Sequence, residues 1–319
     1  MRRRVTAIGV ALVAFNLACW LWAWLQFRHQ PALLGSALLA YGFGLRHAVD
    51  ADHIAAIDNA TRKLVQQGQR PLGVGLFFSL GHSSVVVLLS VALALSATGV
   101  ERHFSGLKEF GGIAGTLVSA AVLLALGAIN LAVLPELWRR FKGNGEDAGP
   151  APGLMGRLLG RAFTLIDRSW HLFPLGFLFG LGFDTATEIG VLGVSAANAV
   201  QGMPLWGILV FPALFSAGMA LLDTADGVLM LGAYGWAFVE ARRKLYYNFC
   251  ITLASAAAAL LVGTIEFLGL MADRLGLEGG FWTGISLING QFGLIGFSLV
   301  GLFALGWLGS MLFYRLARP

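Results

Sequence analysis

His47 and His53 flank Asp50 and Asp52 in the stretch Arg46-His47-Ala48-Val49-Asp50-Ala51-Asp52-His53-Ile54. Two imidazoles and two carboxylates this close together supply borderline nitrogen and hard oxygen donors. That mixture suits Ni²⁺, Co²⁺ or Zn²⁺ far better than Na⁺ or Mg²⁺. On a straight helix, at about 100° per residue, His47, Asp50 and His53 share an arc of about 120°, whereas Asp52 lies about 140° round from His47. Asp52 joins the others only where the backbone unwinds or a neighbouring helix faces its side, and Gly42 and Gly44 just upstream favour a break or close packing. A lone histidine on an apolar face is more often a satisfied core residue; a cluster of this composition points to metal.

Smaller constellations follow. In Ser79-Leu80-Gly81-His82-Ser83-Ser84, His82 is either a third imidazole or a ring bonded to a nearby hydroxyl. In Gly182-Phe183-Asp184-Thr185-Ala186-Thr187-Glu188, Asp184 and Glu188 stand one helical turn apart on one face. Asp223-Thr224-Ala225-Asp226-Gly227 repeats the idea with Asp223 and Asp226. Each carboxylate pair reads as a second waypoint for a metal, as a proton carrier, or as polar packing between helices.

The elements that must position these groups are membrane helices. Of 319 residues, 57% are hydrophobic and 12% charged, about half the charged fraction of a soluble domain. Apolar stretches long enough to cross a ~30 Å hydrocarbon layer recur along the chain. They predict an all-α polytopic membrane protein of about eight transmembrane helices, over 5–27, 32–57, 72–97, 111–134, 173–198, 205–233, 245–271 and 281–313. Asp50, Asp52, Asp58, Asp184, Glu188, Asp223, Asp226 and Glu266 all fall within or beside these spans, with Arg46 the one opposing cation. An Asp at a helix centre costs roughly 2.5–3.5 kcal/mol on insertion scales. A bound cation is the simplest compensation; protonation or bonding to neighbouring Ser, Thr and Asn is the other reading.

Charge distribution orients the chain. Of the 22 Lys and Arg, all but Arg28, Arg46, Arg102, Lys108 and Arg274 fall in segments that are cytoplasmic when the N-terminus is inside. This bias places both termini in the cytoplasm and the protein in an inner (plasma) membrane. The chain reads as a single transporter domain, 1–319, with a cytoplasmic linker loop over 135–170 that carries Gly143-Asn144-Gly145 and Gly149-Pro150-Ala151-Pro152. Phe78-Ser79-Leu80-Gly81 is echoed by Phe215-Ser216-Ala217-Gly218, and Phe43-Gly44-Leu45 by Phe179-Gly180-Leu181, at nearly equal separations. An odd shift of three spans makes helices 2–4 and 5–7 candidate inverted repeats, although a Gly-rich chain also yields such matches by chance. Cys19 and Cys250 form no ligand spacing. The basic residues do not cluster on one face, which argues against a nucleic-acid partner. The lack of His-Glu-x-x-His argues against an intramembrane metalloenzyme, and the lack of Gly-x4-Gly-Lys-Ser/Thr against direct ATP use or an implied ATPase subunit.

Four ordered stretches together resemble the signatures of the nickel/cobalt transporter family (NiCoT). They are Arg46 to Ile54 with a His-x4-Asp-His core at His47, Asp52 and His53, Phe78 to Val86, Leu181 to Glu188, and Gly218 to Gly227. The resemblance implies an eight-helix permease, not an enzyme, that takes up Ni²⁺ or Co²⁺ as transported substrate with no prosthetic group. It also implies cytoplasmic termini and a recognition motif in the second helix. Related exporters carry a His-rich cytoplasmic loop, and 135–170 contains no histidine, so the resemblance favours import over export. Its stress on Asp52, against Asp50 from the helical wheel, leaves both in the expected ligand set of His47, Asp50, Asp52, His53, His82, Asp184, Glu188, Asp223 and Asp226. The topology predicts that green fluorescent protein fused after Pro319 fluoresces while alkaline phosphatase at the same point stays inactive; the opposite pattern puts the C-terminus outside.

Overall fold

The computed structural model describes residues 2–95, 101–142, 166–182, 186–237, 241–302 and 305, and among them there is no strand. The helices are α1 (Arg2–Phe27), α2 (Pro31–His47), α3 (Ala51–Gln66), α4 (Val74–Leu95), α5 (Glu101–Lys142), α6 (Leu172–Gly180), α7 (Ala186–Val200), α8 (Leu205–Ile208), α9 (Val210–Ala237), α10 (Ala241–Leu275), α11 (Gly280–Asn289) and α12 (Phe292–Leu302).

Polarity is arranged the reverse of a soluble protein. Val10, Leu17, Leu21 and Leu25 on α1, Leu38 and Leu39 on α2, and Leu88 and Leu95 on α4 are all more than half exposed. His47, His53, Asp58, Arg62, His82, Glu188 and Asp223 are buried. Such a surface is stable only against hydrocarbon, because water would leave the leucines unsolvated by their own kind. Five helices are long and apolar enough to span a bilayer, and the broken pairs α2–α3 and α11–α12 bring the number to as many as seven. The protein is an all-α, multi-pass membrane protein.

Three spans read as continuous are broken. The expected helix over 32–57 stops at His47 and resumes at Ala51, running on to Gln66. Ala48 N–H still reaches Gly44 O at 3.2 Å and Val49 N–H closes a tighter turn onto Arg46 O at 3.1 Å; Asp50 is then extended, at φ −66° and ψ 147°. Asp is a favoured residue at such a helix start, and Asp52 in the first turn of α3 lies at the positive end of its dipole. The wheel over His47 to His53 therefore does not hold, because it assumes one straight helix. The expected span 173–198 likewise divides into α6 and α7, and Glu188 occupies the first turn of α7 as Asp52 does that of α3. In the last span, Gly290 caps α11 and the chain turns before α12. Pro135 does not end a helix: α5 continues through it to Lys142, helix-forming residues outweighing one lost N–H. Residues 143–165, most of the expected linker, lie outside the described residues.

The chain forms two compact units, Met1–Val49 with Leu72–Ser119 and Trp170–Asp226, and Asp50–Pro71 with Ala120–Ser169 and Gly227–Pro319. In the first, glycines let helix backbones touch. A Cβ on Gly44 would strike the Phe215 carbonyl, and one on Gly218 would sit 2.8 Å from Tyr41 O, so α2 crosses α9 backbone to backbone. A Cβ on Gly81 would strike the Phe173 carbonyl and one on Gly176 the Phe78 carbonyl, giving the same kind of crossing between α4 and α6. The echoed segments thus occur at both crossings: Phe43-Gly44-Leu45 meets Phe215-Ser216-Ala217-Gly218 at one, and Phe78-Ser79-Leu80-Gly81 meets the helix carrying Phe179-Gly180 at the other. Between them packs a core that includes Phe27, Val85, Val191, Phe211 and Phe215. On α1, Asn16 donates through Nδ2 to Ala217 O at 3.3 Å and accepts from the Tyr41 hydroxyl at 3.0 Å, which ties α1 to both members of the first crossing.

The second unit is organised round a cation. Arg62 is fully buried on α3 and donates through Nη1 to Thr252 Oγ1 of α10 at 2.9 Å and through Nη2 to Asn59 Oδ1 at 3.2 Å. Asn130 of α5 donates to the same Asn59 oxygen, whose amide nitrogen reaches Ala55 O at 2.6 Å. α5 and α10 pack closely where Gly127 faces Leu260 and Gly263 faces Leu123.

Substituting Gly81 with Val should destabilise the fold by about 3 kcal/mol or more, since the clash is with backbone that cannot step aside. Gly42→Ala, where nothing lies within 4 Å, should be tolerated. The check is the monodisperse yield of each variant in size-exclusion chromatography; equal yields would refute the crossing as a packing constraint.

Candidate metal centre

Three helices of the first unit deliver three donor atoms to one point. His47 is the last residue of α2, where the helix breaks; His82 lies in the middle of α4; Glu188 is in the first turn of α7. The Nε2 atoms of His47 and His82 are 2.9 Å apart, His82 Nε2 lies 2.8 Å from Glu188 Oε1, and His47 Nε2 lies 3.9 Å from that oxygen. All three side chains are buried, none more than 3% exposed. Bonds of ~2.0–2.1 Å at 90° to 109° round one ion set neighbouring donors ~2.9–3.4 Å apart; the His47–His82 and His82–Glu188 spacings lie at the short end of that range, and the His47–Glu188 spacing of 3.9 Å calls for a wider angle at the ion.

The surroundings explain the convergence. Gly180 sits against the carbonyl of His82, with a Cβ there only 2.8 Å away, so α6 ends flush on the α4 turn that carries the imidazole. The His47 ring lies 5.6 Å from the Phe215 ring, at the crossing made by Gly44. Phe78 flanks His82 from one turn earlier and stacks edge-on with Phe179 at 5.3 Å. Thr187, beside Glu188, places Oγ1 3.3 Å from His47 Nδ1. Aromatic rings keep water from the donors, and a low local dielectric strengthens their pull on a cation.

Of the expected site residues, His47, His82 and Glu188 are brought together. Asp223 is buried and Asp226 half-buried on α9 in the same unit. At ~1.5 Å per residue, Asp223 lies ~12 Å along α9 from Phe215. A Cβ on Gly75, the second residue of α4, would strike the Asp223 carbonyl, so the start of α4 packs at that level. Asp50, Asp52 and His53 open α3 in the second unit, His53 fully buried and Asp52 half-buried. Asp184 lies outside the described residues. Sequence reasoning passed over Thr187 and Phe215, since a threonine in a helix and a phenylalanine in an apolar run carry no signal until a histidine is seen against them.

The model of a family described as high-affinity nickel-transport protein matches residues 33–313. A high-affinity nickel transport protein of Cupriavidus necator is 50% identical, with 99% of this chain and 93% of that protein covered. The hydrogenase nickel incorporation protein HupN of Bradyrhizobium diazoefficiens is 51% identical over 95% of this chain and 82% of its own length. A cobalt transport protein of Rhodococcus rhodochrous, NhlF, is 36% identical over 99% and 93%. No solved structure matches the chain. With a family model covering most of its length and relatives this similar along nearly all of it, the chain belongs to the high-affinity nickel-transport protein family.

Proposed function

We propose that this protein imports Ni²⁺, and Co²⁺ as a second substrate, across an inner membrane without hydrolysing ATP. The convergence of His47 Nε2, His82 Nε2 and Glu188 Oε1 within one buried pocket carries the reading. Relatives named as nickel and cobalt transporters support it. Two neutral imidazoles and one carboxylate offer a dication strong borderline donors while neutralising only part of its charge. The ion sheds its water on entering this pocket, because the aromatic walls leave no room for a full hydration shell.

From there the ion moves to oxygen donors. Asp223 and Asp226 lie farther along α9, toward the cytoplasm in the orientation given by the basic residues, and carboxylates hold Ni²⁺ less tightly than imidazoles. Asp184, four residues before Glu188 in sequence, is a further oxygen donor for the path. An inside-negative potential favours entry by ~2.3 kcal/mol per charge per 100 mV, or ~4.6 for a dication. α6 and α7 together form one span, bringing the number to eight, and the second to fourth spans are an inverted repeat of the fifth to seventh. Equivalent glycine crossings and first-turn acids, Asp52 and Glu188, at equivalent breaks support this. Interrupted helices at matching positions in two repeats are where secondary transporters build their sites.

Radiolabelled nickel should accumulate in proteoliposomes only when an inside-negative potential is imposed, and His82→Ala or Glu188→Gln should lower the initial rate by about 10- to 100-fold; undiminished uptake in both variants would remove the pocket from the pathway. Ligation needs unprotonated imidazole, so lowering the external pH from 7.5 to 5.5 should reduce binding progressively. A rate that rises as the medium is acidified would instead indicate proton-driven symport.

A further inference from the structure

Every polar atom of the His47 ring faces a polar group of the same unit. Nε2 faces His82 and Glu188, and Nδ1 lies 3.3 Å from the Thr187 hydroxyl oxygen. A neutral imidazole has one N–H and one lone pair. For Nε2 to present its lone pair to an ion, the proton must sit on Nδ1, and at 1% exposure that N–H cannot be satisfied by bulk water. Thr187 Oγ1 is the acceptor placed there.

We infer that Thr187 is a positioning residue: its hydroxyl accepts the Nδ1–H of His47, which selects the tautomer with a free Nε2 and turns the ring toward His82 and Glu188. The inference rests on the reading of His47 as a nickel ligand. Thr187 is itself buried at 2% exposure and adjoins Glu188 in the first turn of α7. One turn of backbone therefore supplies both an oxygen ligand and the hydrogen bond that aims a nitrogen ligand from another helix. Phe215 confines the ring on a further side, leaving rotation about χ2 as the freedom that the hydroxyl removes. Histidine ligands to metals are commonly held by such a partner on the other nitrogen, and its loss typically costs 10- to 100-fold in affinity. Here the partner is a hydroxyl, uncharged, so it orients the imidazole without adding to the negative charge of the pocket.

The test uses full-length protein in detergent, titrated calorimetrically with Ni²⁺, together with ¹⁵N spectra of imidazole-labelled, metal-free protein in which His47 is assigned by its loss in His47→Gln. Thr187→Val keeps the shape and removes the oxygen; it should weaken Ni²⁺ binding by about 10- to 100-fold, and Thr187→Ser should restore it to within about threefold. The His47 signals should report the Nδ1–H tautomer in the wild type and in Thr187→Ser. Equal affinity in Thr187→Val, or Thr187→Ser as weak as Thr187→Val, overturns the inference, the latter by assigning the effect to methyl packing. If Thr187→Val does not fold, an Nε2–H tautomer of His47 in the wild type overturns it alone. Wild-type protein that binds no Ni²⁺ overturns the reading of the pocket as a metal site, whereas wild-type binding with an indifferent Thr187 overturns only the present inference.

Discussion

An imidazole, a second imidazole and a carboxylate held within hydrogen-bonding distance, inside a protein whose outer surface is hydrocarbon, is the contact on which the rest of the structure depends. No bulk water reaches it, so each lone pair must be satisfied by a neighbouring N–H or O–H or by a cation. The need to bring three helices to one point, with side chains no longer than histidine and glutamate, forces the backbones together. That explains the glycines at the crossings of α2 with α9 and of α4 with α6, where any side chain would collide with a carbonyl.

The same demand explains the broken helices. A continuous helix satisfies its own backbone and offers lipid nothing polar, which is stable and chemically inert. Ending α2 at His47 and starting α7 just before Glu188 frees the chain to aim an imidazole from a helix end and a carboxylate from a helix start. A carboxylate in the first turn of α7 also lies at the positive end of that helix's dipole. In the second unit Arg62 donates to Thr252 and Asn59, with Asn130 bracing Asn59, so that three helices share one guanidinium.

Much of this was legible in the chain before any fold was known. Low charge, repeated apolar runs and the placement of arginines and lysines require a helical membrane protein, since bilayer thickness and backbone hydrogen bonding leave few other solutions. The residues of the pocket also declare themselves by type: His47, His82 and Glu188 are expensive in lipid and would not stand in apolar spans without a purpose. What composition and spacing could not reveal was where spans break. The helical wheel over His47 to His53 assumed a straight helix, and the span containing Asp184 and Glu188 was read as unbroken. Hydropathy averages over some twenty residues and is blind to a turn of three.

The sequence by itself determined the class of the protein, its donors and the chemistry they favour, because those follow from transfer free energies and ligand hardness, which belong to residues one at a time. Only the tertiary structure decided that His47 meets His82 and Glu188, that α4 and α9 repeat the same glycine contact with different partners, and that Thr187 faces the far nitrogen of His47. Those are relations between segments far apart in the chain. Their distances depend on which backbones can approach and on where each helix ends, and no local property of a residue encodes either.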